Sequence, residues 1–271
     1  MSQIYNVVVM HVIFLVLCIL GVGGKPSFTF DFPTLSSLNT NGREIKLKRY
    51  SGARVDKDSL RMVYVNDQTV AVVELGPKKL LLNCELIEIL EEEQISEVLG
   101  EFKSSARPMP ISFDEMRTLM NQCMQLQSRK YLKSHRELHK NSTNRAQERA
   151  LKNPFTLLNG IIPGTKWCGT GDIARDYFDL GAESTVDMCC RAHDLCPIKI
   201  RAYSQKYNLT NNSLYTKSHC SCDDDFFDCL KKSKGSATAN IMGNIYFNLV
   251  QVPCLEGFYN DIRFRSARKN F

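Results

Sequence analysis

The sequence predicts a mainly α-helical, disulfide-rich protein with an N-terminal extension of mixed α and β structure. Eleven cysteines are too many for a typical cytosolic protein and indicate disulfides. Eight of them lie in residues 153–271, where two segments have the capping residues and charge pattern of helices. Residues 25–152 contain two cysteines and combine β-branched runs with a helix start signal.

The composition is that of an ordinary globular protein. Of the 271 residues, 43% are hydrophobic and 24% are charged, which excludes collagen-like, low-complexity and wholly disordered chains. The net charge of +6 permits an anionic partner without requiring one. We expect no nucleic-acid partner.

Residues 1–24 have the pattern of a secretory signal peptide. Val7–Leu20 is a run of 14 residues without charge, and small residues follow at 21–24. A membrane span would need about 18 or more apolar residues, so an uncleaved anchor is the less favoured alternative. Cleavage near residue 24 removes Cys18 and leaves ten cysteines, an even number, as expected of a fully paired secreted protein.

We therefore expect the protein to be secreted and extracellular. In that compartment, asparagines that begin N-x-S/T triplets are acceptors for N-linked glycans. The candidate glycosylation sites are Asn141, Asn208 and Asn211.

The extension has local signals for three elements. Met62–Leu75 contains two β-branched runs around Asn66 and Asp67, which predicts a hairpin. Glu85–Phe102 places apolar residues at mixed helical spacings among many glutamates. Ser112–Glu115 is a capping box, which predicts a helix that begins there and continues through Cys123.

The role of the extension stays open at this point. Residues 103–152 carry eleven Lys and Arg against four Asp and Glu, which favours a solvated helix and tail over a surface for anionic lipid or a linker cut by a protease. The extension is a pro-region removed near residues 145–152, a retained domain or a subunit. A Cys84–Cys123 bridge is favoured because it leaves no thiol unpaired.

Residues 153–271 contain the segments with catalytic or metal-binding chemistry. The loop Trp167–Gly171 has two glycines, which let backbone carbonyl groups turn toward a hard cation such as Ca²⁺. Val186–Cys196 predicts a helix with Ser184 or Thr185 as its N-cap. Cys220–Lys232 predicts a second helix, with acids first and lysines last, which suits the helix dipole.

The spacing of residues on the two helices suggests a His–Asp pair. Suppose that the helices are antiparallel and joined through Cys189 and Cys229. Along the helix axis, His193 then lies roughly 6 Å from Cys189, and Asp223 lies roughly 9 Å from Cys229 in the same direction. The two side chains therefore lie at nearly the same level. Asp194 points about 100° away and could offer a carboxylate to a cation. A His–Asp base beside a divalent ion can hydrolyse an ester. Eight cysteines allow 105 connectivities, so the spacing alone fixes none of them.

Four motifs in this region resemble the secreted phospholipases A2 of the bee-venom type (group III). The resemblance covers residues 155–255 and includes all eight cysteines. It implies Ca²⁺-dependent hydrolysis of the sn-2 ester of phosphoglycerides at a lipid surface, with release of a fatty acid and a lysophospholipid. The motifs are Trp167-Cys-Gly-x-Gly171, Cys189-Cys-Arg-x-His193-Asp194-x-Cys196-Pro, Cys220-x-Cys-Asp223-Asp-x-Phe-x-Asp-Cys229-Leu and Tyr246-Phe-Asn-Leu.

The resemblance also implies a role for each site residue. His193 would be the general base, Asp223 would orient it, and Tyr246 would support Asp223 through its hydroxyl. One Ca²⁺ ion per active site would be held by the Asp194 side chain and by the backbone carbonyls of Trp167, Gly169 and Gly171. The implied disulfides are Cys168–Cys190, Cys189–Cys229, Cys196–Cys222 and Cys220–Cys254.

One feature qualifies the resemblance, and one other interpretation competes with it. Only 17 residues follow Cys254, with a basic tail at Arg263–Lys269, where the bee-venom type continues with a further disulfide. A non-catalytic receptor or channel ligand on the same scaffold is the competing interpretation. A degenerate scaffold would have a broken calcium loop or a replaced histidine, whereas this chain keeps every residue implied at the site, which favours an enzyme that binds a phospholipid membrane peripherally.

Overall fold

The computed structural model describes residues 50–89, 107–139, 160–233, 235–258 and 261–271, all of which belong to one compact unit, 46–271. The signal peptide and Asn141 lie outside these residues. Within the described ranges, no helix is both long enough and apolar enough to cross a membrane.

The described part of the extension contains a sheet of four strands, β1 (Leu60–Asn66), β2 (Thr69–Leu75), β3 (Leu81–Glu88) and β4 (Met109–Pro110), in the order β3-β2-β1-β4. The predicted hairpin is confirmed, because β1 and β2 are antiparallel with Asn66 opposite Thr69 and with Asp67 at positive φ in the turn. The helical spacing of residues 85–102 was misleading at its start, since residues 85–88 belong to a strand in which each successive side chain changes face.

A long helix, α1 (Phe113–His139), packs on this sheet. The predicted capping box is confirmed, because the Glu115 carboxylate accepts from the Ser112 amide at 2.8 Å and the Ser112 hydroxyl accepts from the Glu115 amide at 3.3 Å. Met116 and Met120 on α1 are buried in a cluster that includes side chains of the sheet. A Cys84–Cys123 disulfide joins α1 to β3.

In its described residues, the second half of the chain (160–271) contains three helices and three small two-stranded sheets. The helices are α2 (Ser184–Asp194), α3 (Cys220–Lys232) and α4 (Ala237–Gly243), and a π-helical turn, Asn244–Val250, continues α4 directly. The strand pairs are β5 (Lys199–Ile200) with β8 (Lys217–Ser218), β6 (Gln205–Lys206) with β7 (Leu209–Thr210), and β9 (Cys254–Glu256) with β10 (Arg263–Arg265).

The N-cap of α2 lies one residue before Ser184, the first of the two expected N-caps. Glu183 is its N-cap and makes no side-chain capping bond, so the expectation of Ser184 or Thr185 as the cap was wrong. The buried carboxylate of Asp187 in the first turn provides the favourable negative charge near the helix N-terminus.

Four disulfides hold this half together: Cys168–Cys190, Cys189–Cys229, Cys196–Cys222 and Cys220–Cys254. Cys189–Cys229 connects α2 to α3, and Cys196, two residues after α2, pairs with Cys222 near the start of α3. The two helices are therefore antiparallel. Trp167, Phe226 and Phe247 form part of the buried core beside them.

Two of the candidate glycosylation sites have different environments. Asn208 is exposed in the turn between β6 and β7. The side chain of Asn211 is buried, and its Nδ2 donates to the backbone carbonyls of Ile200, Arg201 and Tyr215 at 2.8–3.1 Å. A glycan on Asn211 is incompatible with this fold, so the sequence-based inclusion of Asn211 was wrong.

Candidate active site

Three polar side chains converge where α2, α3 and the π-helical turn meet. His193 Nε2 lies 2.7 Å from Asp223 Oδ1. The Tyr246 hydroxyl donates to the same Asp223 oxygen at 3.1 Å and lies 3.3 Å from His193 Nε2. Asp223 is buried, while the His193 side chain keeps 10% of its surface exposed and Tyr246 is also partly exposed, so solvent can reach the imidazole.

Aromatic rings surround this group and hold the imidazole in place. The Phe226 ring stacks on His193 at 4.6 Å between centroids, with an interplanar angle of 24°. Tyr246 meets the other two rings edge-on, at 5.1 Å from His193 and 5.5 Å from Phe226. Burial and the negative charge of Asp223 raise the pKa of Tyr246 well above its ordinary value, so its hydroxyl stays protonated and donates to Asp223.

The contact between His193 and Asp223 sets the tautomer of the imidazole. Because the Asp223 carboxylate can only accept, Nε2 of His193 must donate and carries the proton. When the ring is neutral, Nδ1 is then its hydrogen-bond acceptor. The arrangement can take a proton from a water molecule at Nδ1 while the carboxylate stabilises the resulting imidazolium.

The loop that contains Trp167, Gly169 and Gly171 is packed closely against residues 160–162. The Ile162 amide donates to the Cys168 carbonyl at 2.8 Å, and the Thr170 amide donates to the Gly160 carbonyl at 3.2 Å. A Cβ on Gly169 would lie 2.1 Å from the Gly160 carbonyl oxygen, so only glycine fits there. Gly171 has a φ of +115°, which side-chain-bearing residues rarely adopt.

A buried carboxylate that the sequence analysis did not identify anchors this loop. Asp187 on α2 is fully buried and accepts from the backbone amides of Lys166, Trp167 and Gly181 at 2.7–3.0 Å. Burial raises the pKa of Asp187, although these three amides oppose the shift. The available signal was an acid within the apolar run Val186–Cys190, where a charged residue needs buried partners.

The donor set of the loop fits a calcium ion. Three backbone carbonyls and one carboxylate are hard oxygen donors, the kind that Ca²⁺ takes in proteins. The Cys168–Cys190 disulfide ties the loop to α2, and Asp194 follows Cys190 by four residues, so both lie on the same face of the helix. In the part of the chain that the structure describes, no group of three or more His, Cys, Asp or Glu side chains is placed to hold a metal. A calcium site made mainly of backbone carbonyl groups would not contain such a group of side chains.

Helix α1 of the extension also reaches this region, which no sequence pattern indicated. The Arg117 guanidinium donates to both carboxylate oxygens of Asp225 on α3, at 2.8 and 3.1 Å. A small cavity beside His193 has Met120 and Met124 of α1 in its wall. Further along, Arg191 of α2 is buried and donates to Gln127 Oε1 at 2.6 Å.

Comparison with known proteins identifies the family. A family model described as Phospholipase A2 matches residues 161–258. The chain is 48% identical over 96 residues to phospholipase A2 isozymes PA3A/PA3B/PA5 of Heloderma suspectum, covering 35% of this chain and 66% of the relative. It is 42% identical to a phospholipase A2 of Apis dorsata and 43% identical to that of Apis mellifera, each over 94 residues, or 70% and 56% of those relatives. The chain therefore belongs to the phospholipase A2 family, in its bee-venom (group III) type.

Proposed function

We propose that the protein is a secreted, calcium-dependent phospholipase A2 that hydrolyses the sn-2 ester of phosphoglycerides at a membrane surface. The observation that carries this proposal is the contact of His193 with Asp223 and Tyr246, in a chain of the phospholipase A2 family. The relatives are named phospholipase A2, and the matched segment spans about two thirds of the first two of them.

In this mechanism His193 is the general base. Its Nδ1 accepts a proton from a water molecule as that water attacks the sn-2 carbonyl carbon. Asp223 keeps the ring in the required tautomer and stabilises the imidazolium, and Tyr246 holds the carboxylate in position. The imidazolium then returns the proton to the departing lysophospholipid oxygen. Because water attacks the ester directly, no covalent acyl-enzyme is formed.

Trp167, Gly169 and Gly171 would hold Ca²⁺ through their carbonyl oxygens, and Asp194 would hold it through its carboxylate. When bound, the ion supplies positive charge that polarises the ester carbonyl. Asp187 keeps the loop in shape for this role through its three amide contacts. The close contact of Gly169 with Gly160 restricts the loop in the same way.

The experiment that tests the proposal is release of fatty acid from phosphatidylcholine vesicles by the oxidised protein, with Ca²⁺ and then with EGTA. We expect release that EGTA abolishes and added Ca²⁺ restores. Release that EGTA leaves unchanged would contradict the calcium site. A folded, fully bridged protein that released no fatty acid in Ca²⁺ would favour the competing interpretation, a non-catalytic receptor or channel ligand.

An apolar stripe next to the site supports peripheral binding to the lipid surface. Ile241, Ile245 and Leu249 recur every four residues along α4 and the π-helical turn, and all three are exposed, Leu249 by 78%. Tyr246 belongs to the same turn. Insertion of such a row of apolar side chains into the boundary between the headgroups and acyl chains of a membrane lowers the free energy of the bound protein.

We predict that the double substitution Ile245→Asp/Leu249→Asp lowers release from vesicles by about 100-fold or more. Burial of each such side chain is worth about 1.5–3 kcal/mol, and about 1.4 kcal/mol is a factor of ten. Release from a dispersed short-chain phospholipid should change little. Leu214→Asp is the matched control, because Leu214 is 71% exposed but lies between β7 and β8. Equal loss on both substrates would count against the stripe.

We further propose that the extension is a retained part of the enzyme. Two buried contacts of the extension with the second half support this. The Thr69 hydroxyl donates to the Leu195 carbonyl at 2.8 Å. Glu88 forms an ion pair with Lys199, whose amine is buried and also donates to the Asp194 carbonyl. Loss of the extension would break this buried ion pair and the Thr69 hydrogen bond.

The same assay on protein cut between residues 140 and 159 tests retention. A protease site inserted there allows the folded protein to be cut after purification. We expect the two pieces to elute together under native conditions and to keep the activity of the uncut protein. A C-terminal piece that separates and remains active would instead identify the extension as a removable pro-region.

A further inference from the structure

The segment Arg268–Phe271 occupies a groove between α3, α4 and the π-helical turn. The Phe271 ring stacks on Phe247 at 5.9 Å between centroids and meets Phe227 edge-on at 5.2 Å. A Cβ on Gly243 would lie 2.1 Å from this ring, so the ring fills the space that a side chain at position 243 would take. The groove therefore exists in this form because residue 243 is glycine.

Polar contacts fix the backbone and the cation of the same segment. Asn248 Oδ1 accepts from the backbone amides of Asn270 and Phe271, both at 3.1 Å, and its Nδ2 donates to the Phe271 carbonyl at 3.1 Å. Arg268 donates to Asp224 at 2.9 Å, and its guanidinium lies 3.7 Å from the centroid of the Phe227 ring. Lys231 lies 4.2 Å from the centroid of Phe271.

These contacts join the two elements that carry the partners of His193. Phe227 follows Asp223 by four residues on α3, and Phe247 is the residue after Tyr246. Tyr246 and Asp223 come from different elements, so their 3.1 Å hydrogen bond depends on how the π-helical turn lies against α3. The turn has no side-chain N-cap bond and ends at Gln251 in a left-handed conformation, with a φ of 52°.

We propose that Arg268–Phe271 is a clamp that holds the π-helical turn against α3 and thereby positions Tyr246 on Asp223. Phe271 is a positioning residue in this proposal, since it acts through Phe247 and Phe227 and does not touch the reacting groups. The effect on catalysis rests on the proposed phospholipase function, whereas the effect on the turn does not.

The first test is Phe271→Ala, assayed on a dispersed short-chain phospholipid and on vesicles. We expect kcat to fall about tenfold, because a displacement of about 1 Å in a catalytic group can cost up to 100-fold. Binding to vesicles should change less than kcat, since the side chains of the stripe Ile241, Ile245 and Leu249 lie on a different face from Gly243 and Phe247. Phe271→Leu should recover part of kcat, because it keeps apolar bulk in the groove.

The second test uses Gly243→Ala, which acts from the other side of the contact. In the parent protein its Cβ displaces the Phe271 ring, and we expect the same loss of kcat and a lower unfolding midpoint. In the Phe271→Ala background the groove is empty, so Gly243→Ala should cost nothing more and should raise the midpoint slightly, because alanine favours a helix. Additive losses from the two substitutions would overturn the clamp.

Hydrogen exchange of residues 244–250 provides a readout that is independent of lipid hydrolysis. We expect faster exchange there in Phe271→Ala, with α2 unchanged. Phe264→Ala is the matched control, since Phe264 is also a partly exposed phenylalanine near the end of the chain but its ring contacts Lys217. Unchanged exchange of residues 244–250 in Phe271→Ala overturns the clamp, even if kcat falls. If the parent protein is inactive but exchange is faster in Phe271→Ala, only the proposed phospholipase function is rejected.

Discussion

His193→Gln is expected to lower the rate of fatty-acid release by about 1000-fold or more, since a general base contributes roughly 10²–10⁴ to a rate. Glutamine can still donate an N–H to Asp223, so the partner carboxylate is not left unpaired. It cannot take a proton from water at neutral pH. The measurement is initial release from vesicles in saturating Ca²⁺, together with the unfolding midpoint and the affinity for Ca²⁺, both of which should stay close to the parent values.

His219→Gln serves as the control for this substitution. His219 is the N-cap of α3, and its side chain accepts from the Ser221 amide at 3.2 Å. Loss of a cap costs about 0.5–2 kcal/mol of stability, so this variant should unfold more easily but keep its activity while folded. Retention of more than about a tenth of the parent rate by His193→Gln would remove the histidine from the role of base.

Gly169→Ala is expected to weaken Ca²⁺ binding severely and to lower release accordingly. The added Cβ would lie 2.1 Å from the Gly160 carbonyl and 2.8 Å from the Ile161 Cα, both of them backbone atoms that cannot rotate away. The loop must separate from residues 160–161, which displaces the carbonyl groups proposed to hold Ca²⁺. Calorimetric titration of the protein with Ca²⁺ measures the affinity directly, without dependence on activity.

Gly235→Ala is the matched control, because Gly235 has a positive φ but nothing within 4 Å of an added Cβ. It should lose some stability from backbone strain and bind Ca²⁺ as the parent does. Normal Ca²⁺ affinity in Gly169→Ala would show that this loop does not hold the ion.

The approach of His193 to Asp223 follows from helical rise once Cys189 and Cys229 are assumed to pair, and only the resemblance implied that pairing. The third member, Tyr246, came only from the resemblance, since it is 23 residues beyond Asp223 and is brought back by α4 and a π-helical turn that no periodicity indicates. The hairpin and the capping box were predicted because each depends on residues close together in the chain.

Contacts between distant segments could not be predicted in this way. The bond between Arg191 and Gln127 joins residues 64 apart and has no local signal on either side. The same limit explains Asn211, since an N-x-S/T triplet describes a recognition sequence and contains no information on burial. Asp187 had a signal, an acid in an apolar run, but its partners are backbone amides, which look alike in every sequence.

The pattern of disulfides has a consequence for biosynthesis. Cys84 and Cys123 pair within the extension, and the other four bridges lie wholly within residues 168–254. A chain that emerges N-terminus first can therefore complete its first bridge before the remaining eight cysteines have emerged. The sheet and α1 are then available as a preformed surface on which α2 and α3 fold, which reduces the number of wrong pairings that eight thiols could otherwise explore.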